Sequence, residues 1–426
     1  MNFYATRERA VLGHVVSRTK RSKPGLPFFL VFAAISFNFF LCFIHTNIMN
    51  VSTGHVIAAE ILIIGLTLVA SYRAIGQEQL LLVCALLFYL MVLAAIRTFA
   101  SPDGHFDVKI MRDFLIPIAF YLLGTRMNNL TDVDSIVRTC AIIVVAVAIY
   151  EYFFLESFLR YFNVLSYYIS RGTIESEQKD WISTTLFVSG IRPEGRSLLP
   201  FLGDRRVSSL FLEPVSPGNF AVTLFFWALV RSYFERKLYF GIFLMAIFLT
   251  IMADNRFGTY LCAVALIVSM LPSRYMSGVM TVAPFVIMPA LLGFALWSPD
   301  TPIDNSLFGR LLSSGRALLN FDIWNWLGVG RTNDDVDSGY AYTISRIGIF
   351  GSVALWILFT TLRAQSRQFQ MFRAFTALYF SAILCVSYSP YTIKTAGLLW
   401  FLLGALSVTD PANPLQSRRE DPRVTG

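Results

Sequence analysis

Charged residues are what this sequence has least of. Only 15% of its 426 residues are Asp, Glu, Lys or Arg, whereas soluble domains carry about 25%. Hydrophobic residues make up 55% of the chain, and the 39 Phe and 18 Tyr suit lipid contact and interfacial belts. This balance excludes a soluble enzyme of several domains and predicts an all-α polytopic membrane protein.

Metal-binding and nucleotide-binding patterns are also missing. The four His all lie between His14 and His105 without an H-x-x-x-H pair, and the five Cys are scattered singly in apolar runs. There is no G-x-x-x-x-G-K-[ST], no G-x-S-x-G and no G-x-G-x-x-G after a strand. The sequence therefore predicts neither a metal centre nor a cofactor. A substrate that is already activated and carried by lipid would need neither.

The net charge of +8 does not indicate a nucleic-acid partner. Much of the basic excess lies beside apolar runs, where membrane topology explains it. Lys and Arg collect in the connections on the side of the N-terminus, which predicts that both chain termini are cytoplasmic. We expect a basic cytoplasmic segment over 1–25, one transmembrane domain over 26–410 and a cytoplasmic tail over 411–426.

Apolar runs long enough to cross a bilayer, which takes about 20 residues, predict about twelve transmembrane helices. The first follows a basic segment, as in a signal peptide, but is too long for one, so an uncleaved span is predicted. Two long connections, 157–212 and 298–337, fall on the non-cytoplasmic side and open with amphipathic stretches expected to lie along the membrane surface. The runs are 26–48, 55–72, 79–97, 111–126, 137–156, 213–233, 238–253, 257–271, 276–297, 338–361, 371–388 and 393–409.

The first charged motif is R-P-E-G-R (192–196) followed by R-R-V-S-S-L-F-L-E-P-V-S-P-G (205–218). Arg205 and Arg206 stand at the mouth of the sixth predicted span, with Glu213 a short way inside it. Arginine forks match phosphate oxygens in bidentate geometry, so this cluster suits a phosphate or pyrophosphate. Snorkelling to lipid headgroups explains arginines near span ends equally well.

A second motif, A-D-N-R-F-G (253–258), is a tight connection between two apolar runs. Charges at membrane depth are costly and mark functional sites, which favours a role for Arg256. Asp and Asn are also ordinary turn residues, so the role of Asp254 stays open.

The third motif is G-V-G-R-T-N-D-D-V-D-S-G-Y-A-Y (328–342), where the chain re-enters a predicted span. Asp334 and Asp335 are interpreted as solvated or capping residues. Partial burial would raise the pKa of Asp337 toward the range of a general base, although helix capping explains its position as well. Tyr340 follows one turn later.

Taken in order, these motifs resemble those of the Wzy-type polysaccharide polymerases and O-antigen ligases. R-V-S-S-L-F-L-E-P-V-S-P-G resembles the family's arginine-to-proline-glycine entry into a span, and A-D-N-R-F-G its short asparagine-arginine turn. G-R-A-L-L-N-F-D-I-W-N-W-L-G-V-G and D-S-G-Y-A-Y-T-I-S-R-I-G-I-F-G resemble the segments that follow. The resemblance covers about residues 136–361. Asp337 stands where the ligases carry histidine, which favours the polymerase branch, including exopolysaccharide polymerases.

The resemblance implies a polymerase of the bacterial inner membrane that joins undecaprenyl-pyrophosphate-linked oligosaccharides at the periplasmic face, by inverting glycosyl transfer without metal or nucleotide. Arg206 and Arg256 would stabilise the departing pyrophosphate, and Asp337 or Glu213 would deprotonate the acceptor hydroxyl. It also implies membrane lipid, a chain-length regulator and a flippase as partners. The residues expected to bind substrate are Arg192, Arg196, Arg205, Arg316, Arg331 and Tyr340.

Two other functions remain open from the sequence. A ligase that transfers glycan to another acceptor shares every feature except the histidine. A secondary transporter or flippase would place ionisable residues near the middle of the membrane, whereas here the charges gather at span mouths and outward loops.

Overall fold

The computed structural model describes residues 25–72, 75–100, 108–173, 186–192, 195–271, 273–304, 306–330, 338–362 and 366–408. Over these ranges the chain is α-helical and forms no β-strand; one isolated antiparallel bridge pairs Ile191 with Arg205. The helices are α1 (Gly25–Asn47), α2 (Thr53–Ser71), α3 (Gln77–Ala100), α4 (Val108–Gly124), α5 (Leu130–Phe153), α6 (Leu155–Tyr161), α7 (Val164–Ser170), α8 (Val215–Glu235), α9 (Phe240–Met252), α10 (Arg256–Ser269), α11 (Ser273–Trp297), α12 (Leu307–Leu319), α13 (Ile323–Leu327), α14 (Gly339–Thr361), α15 (Arg367–Ile383) and α16 (Ile393–Val408).

Each predicted run falls on a helix, but twelve membrane crossings are not confirmed. Six helices of the described chain are long and apolar enough to cross a bilayer: α1, α2, α3, α5, α11 and α14. α9 and α10 have 13 and 14 residues. At about 1.5 Å per residue they reach roughly 20 Å, against a hydrocarbon core of about 30 Å.

The helices differ in how deeply they are buried. α8 and α16 lie at the centre, where 15 of the 21 residues of α8 and 14 of the 16 residues of α16 are buried. The backbones of α4 and α16 are in direct contact at Gly404, where an added Cβ would lie 2.0 Å from the carbonyl oxygen of Tyr121. α3 and α11 lie at the periphery, where Phe88 is 70% and Val286 61% exposed. Such apolar surfaces suit lipid contact and would promote aggregation in water.

α14 is broken at Gly348, which adopts φ 69° and ψ 166°. This backbone conformation is essentially restricted to glycine. The break frees carbonyls that α3 satisfies: the Tyr89 hydroxyl donates to the Ile347 carbonyl (2.6 Å), and Arg97 to that of Arg346 (2.6 Å). Arg97 also donates to the carbonyl of Gly328 (2.9 Å), so the G-V-G stretch packs against the break.

A buried ion pair holds one end of the bundle together. Arg231 of α8 lies 2.8 Å from the Asp134 carboxylate of α5, which also accepts hydrogen bonds from Trp227 (2.9 Å) and from Tyr239 at the start of α9 (3.1 Å). Because each of these polar groups has a hydrogen-bond partner within the set, the set stabilises the packing of the helices at this end.

Candidate functional site

The long connections pack on the other end of the bundle, here called the loop end. His45 near the end of α1 contacts the Ser166 hydroxyl (3.0 Å), and Thr53 at the start of α2 donates to the carbonyl of Arg171 (2.7 Å). At the end of α3, Arg97 contacts Gly328. Segments distant in sequence therefore converge at the loop end.

The segments 186–192 and 195–206 pair with each other there and present arginines to the end of α9. The Arg192 amide donates to the Asp204 carbonyl (3.0 Å), and the Arg206 amide to that of Gly190 (2.8 Å). The Val207 amide then reaches the carbonyl of Met252 (3.0 Å).

Asp254, in the connection from α9 to α10, lies at the centre of these arginines. It is fully buried and adopts a φ of 47°, in the left-handed region that Asp tolerates better than most residues. Its carboxylate lies 2.8 Å from an Arg192 nitrogen and accepts hydrogen bonds from the amides of Ser197 (3.1 Å) and Leu198 (2.8 Å). The Asp254 side chain thus organises the loop.

Two further guanidinium groups bind the carbonyls at the end of α9. Arg196 donates to the carbonyls of Arg205 (2.8 Å) and Ile251, and Arg206 donates to that of Ala253 (2.9 Å). Cations are favoured at a helix C-terminus, where the backbone dipole is negative. We call Arg192, Arg196, Arg206 and Asp254 the arginine cluster.

The arginine cluster carries more positive charge than its carboxylate balances. Burial, and after it the neighbouring guanidinium of Arg192, lowers the pKa of Arg206 to about 9, although Asp254 partly offsets both. Arg310 of α12 lowers that pKa further. Arg206 is still a cation at neutral pH, and a bound anion would relieve this repulsion.

A second set of charges lies where α8 and α16 begin. The Lys394 ammonium is 2.6 Å from the Glu213 carboxylate, which also accepts a hydrogen bond from the Ser216 hydroxyl. Lys394 is buried, whereas the Glu213 side chain stays 24% exposed. The pairing keeps Glu213 ionised, and its side chain remains partly exposed.

A third set lies on α2 and α4. Arg112 pairs with Glu60 of α2 and with Asp113 beside it, and Asp113 also accepts a hydrogen bond from the Tyr342 hydroxyl at the start of α14. Glu60 and Asp113 are both buried. Two carboxylates and one guanidinium are thus held inside the bundle at the loop end.

Arg171, after α7, connects these sets. Its charge acts on Glu60, Glu213 and Lys394, and its guanidinium lies 5.2 Å from the ring centre of Tyr168. Its Nε is buried without a hydrogen-bond partner among the described residues. We call Glu60, Arg112, Asp113, Arg171, Glu213 and Lys394 the buried charge network.

The buried charge network adjoins the arginine cluster through an aromatic contact. Tyr168 packs edge-on against Phe187, with ring centres 4.7 Å apart. Phe187 precedes the short turn in which the Ser189 carbonyl accepts a hydrogen bond from Arg206 (3.2 Å). This chain of contacts therefore joins the buried charge network to the arginine cluster.

The predicted site residues do not all lie together in the structure. The structure brings Arg192, Arg196 and Arg206 together, and it places Glu213 in the adjoining network. Arg256 is exposed at the first turn of α10. Asp337 and Arg331 lie outside the described residues.

The remaining predicted residues have other contacts. The Arg205 guanidinium lies 5.8 Å from the ring centre of Tyr152. Arg316 donates to the carbonyls of Ser298 and Pro299 (2.8 Å each), which ties α12 to the end of α11. Tyr340 is buried and donates to the Ser381 carbonyl (2.9 Å).

Sequence reasoning missed most of the buried charge network. Glu60, Arg112, Asp113 and Lys394 were available as charges inside or at the edge of apolar runs, a signal that marks functional residues in membrane proteins. Arg171 is far in sequence from the charges on which it acts, so no local pattern connects it with them.

The comparisons with known proteins add no relative: no family model, no curated protein and no solved structure matches this chain.

Proposed function

We propose that this chain is a membrane glycosyltransferase that polymerises oligosaccharide repeat units carried on undecaprenyl pyrophosphate. The observation that carries the proposal is the adjacency of a cationic cluster and an accessible, ionised carboxylate at one end of an apolar bundle. Such a pair can stabilise an anionic leaving group and accept the proton of a hydroxyl nucleophile.

The arginine cluster would bind the pyrophosphate of the donor. Arg206 is buried among other cations, so an incoming anion gains attraction from several guanidinium groups at once. Negative charge grows on the pyrophosphate oxygen as its bond to the anomeric carbon breaks, and fixed cations there lower the barrier. Arg171 adds a further positive charge on the side of Glu213.

Glu213 is the described carboxylate best suited to accept the proton of the acceptor hydroxyl. The acceptor oxygen forms a bond to the anomeric carbon, its proton passes to Glu213, and undecaprenyl pyrophosphate departs with the electron pair. Lys394 holds the carboxylate in place and in its charged form. Asp337 remains the alternative base, as the resemblance implies.

The test compares lipid-linked glycans in a deletion strain complemented with wild type, Glu213→Gln or Asp337→Asn. We expect single repeat units to accumulate without polymer in whichever variant removes the base. Glu235→Gln, at the opposite end of the bundle, is the matched control and should leave polymer unchanged. Normal polymer in both base variants would overturn the proposed chemistry. Full-length polymer that is not attached to its final acceptor would indicate a ligase instead.

A transporter of lipid-linked glycan is the second candidate, and two observations favour it. α14 is interrupted at Gly348, and charges are buried inside α2, α4 and α16. Broken helices and buried charges are common at transport sites. If Arg206→Gln trapped repeat units on the inner leaflet, transport would replace glycosyl transfer as the function. Repeat units on the outer leaflet would support the enzyme.

A further inference from the structure

An apolar cavity of about 340 Å³ lies within the bundle beside the buried charge network. Helices α3, α4, α11, α14, α15 and α16 surround it. Its walls are aliphatic and aromatic, with Phe114, Trp356, Phe359 and Trp400 among them. The volume falls within the range of about 300–1,000 Å³ typical of ligand pockets.

Two prolines and one helix break lie beside this space. Pro117 of α4 and Pro284 of α11 both line the cavity and lie inside their helices. Proline in a helix interior removes a hydrogen bond and bends the helix. The break of α14 at Gly348 lies between lining residues Ile347 and Ile349. At the level of the cavity, α4 and α11 therefore each contain a proline, and α14 is broken.

One side of the cavity is formed by helices whose outer surfaces suit contact with lipid. Its lining residues on α3 and α11 include Val83 and Phe285, yet among the described residues these two helices do not pack extensively on each other. Only 17% of the most apolar stretch of each helix is buried. A lipid chain in the membrane would thus reach the cavity by passing between these two lipid-facing helices.

The opposite side of the cavity borders the polar residues of the loop end. Thr343 and Tyr391, both lining residues, are joined through their hydroxyls (2.8 Å). Phe114 lines the cavity next to Asp113, which binds Tyr342. The occupant would therefore have an apolar chain in the cavity and a polar group beside the charges.

Cations at this border favour an anionic head group. Lys109 lies 5.4 Å from the ring centres of both Tyr342 and Tyr388, and Arg346 lies 5.1 Å from that of Tyr342. Arg112 is already paired with Glu60 and Asp113, so Lys109 and Arg346 are the cations that an anionic head group at this border would meet.

We propose that this cavity binds the isoprenoid chain of a pyrophosphate-linked lipid, which enters between α3 and α11 and places its pyrophosphate at the loop end. The inference rests on the proposed function for the identity of the head group. It adds a lipid site and an entry route. A phospholipid acyl chain is the competing occupant.

Photolabelling of the full chain in lipid nanodiscs tests the site. One probe is undecaprenyl phosphate with a photoreactive group near the chain terminus, and the other is phosphatidylethanolamine with the same group on an acyl chain. We expect the isoprenoid probe to label peptides of α14 and α16, with labelling reduced at least about fivefold by Val353→Trp or Val83→Trp, which fill the cavity from two different helices. Val286→Trp, on the exposed face of α11, should not change it.

The outcomes separate the two proposals. Unchanged isoprenoid labelling in both filling variants, or stronger labelling of the cavity by phosphatidylethanolamine, would overturn the lipid site whatever the enzymatic result. Glu213→Gln should retain isoprenoid labelling while losing polymer, which supports both proposals. If wild type forms no polymer but filling the cavity still reduces its isoprenoid labelling, the lipid site is supported and the glycosyltransferase proposal is overturned. Unfolding temperatures of all variants identify any that fail to fold. If one of the two cavity-filling variants does not fold, the labelling of the other tests the lipid site.

Discussion

The Lys394 ammonium lies 2.6 Å from the Glu213 carboxylate and joins the start of α16 to the residues just before α8. The two residues are 181 positions apart in sequence, and no local pattern connects them. Lys394 is 7% exposed, so its charge depends on this partner. The pair therefore links packing of the two central helices to the ionised state of the proposed base.

Replacing Glu213 alone should destabilise the protein more than replacing both partners. Glu213→Gln leaves a buried ammonium without a counter-charge, which costs about 3–5 kcal/mol, whereas combining Glu213→Gln with Lys394→Met removes both charges. Thermal unfolding in detergent measures the difference. Equal unfolding temperatures for the single variant and wild type would show that Lys394 is neutral or paired elsewhere.

Anion binding at the arginine cluster should weaken at high pH. The pKa of Arg206 is lowered to about 9, so this residue is charged below that pH and loses its proton above it. Because a bound anion favours the charged form, affinity should fall by up to about tenfold per pH unit above the pKa. Binding of dimethyl pyrophosphate, whose charge is constant over this range, provides the measurement.

The control for that experiment is Arg206→Gln. This variant should bind the diester more weakly at neutral pH and should lose most of the decline at high pH. A wild-type affinity that stays constant from about pH 8 to pH 10 would contradict the lowered pKa of Arg206.

The helical architecture was predictable because apolar runs are local in sequence. Every predicted run coincides with a helix. Crossing the membrane was harder to predict, since α9 and α10 are apolar enough but only 13 and 14 residues long. Helix length depends on where turns form, and the Asp254 turn comes earlier than a full span requires.

The candidate site was predictable only where its residues share a motif. Arg192, Arg196 and Arg206 lie within 15 positions, and clustered charge identified them. Lys394 and Arg112 stand alone in separate helices, so only tertiary packing brings them to the loop end. Arg256 lies apart from the arginine cluster for a local reason: Asp254 turns inward, while Arg256 begins the next helix and remains exposed, so its role stays a prediction.

Gly348→Ala should destabilise the fold. A Cβ at this position would lie 2.6 Å from the carbonyl oxygen of Leu327, and the φ of 69° is strained for any other residue. Strain of this kind costs about 1–3 kcal/mol. We expect a lower unfolding temperature and reduced yield of folded protein. Gly293→Ala is the matched control: this α11 glycine has nothing within 4 Å of the added Cβ, and alanine favours helix by about 1 kcal/mol. Equal tolerance at both positions would argue against a break in α14.

Arg112→Met should be more damaging than Glu60→Gln, although both break the same ion pair. Arg112 faces two buried carboxylates, Glu60 and Asp113, and its loss removes the ion-pair partner of both. Removing a partner from a buried pair costs about 3–5 kcal/mol, whereas Glu60→Gln leaves Arg112 bound to Asp113. Unfolding temperatures of the two variants give the comparison. Combining Arg112→Met with Glu60→Gln and Asp113→Asn should recover stability relative to Arg112→Met alone, because no buried charge of this set then remains unpaired. If Glu60→Gln proved as damaging as Arg112→Met, the guanidinium would depend on Glu60 alone and Asp113 would be held mainly by Tyr342.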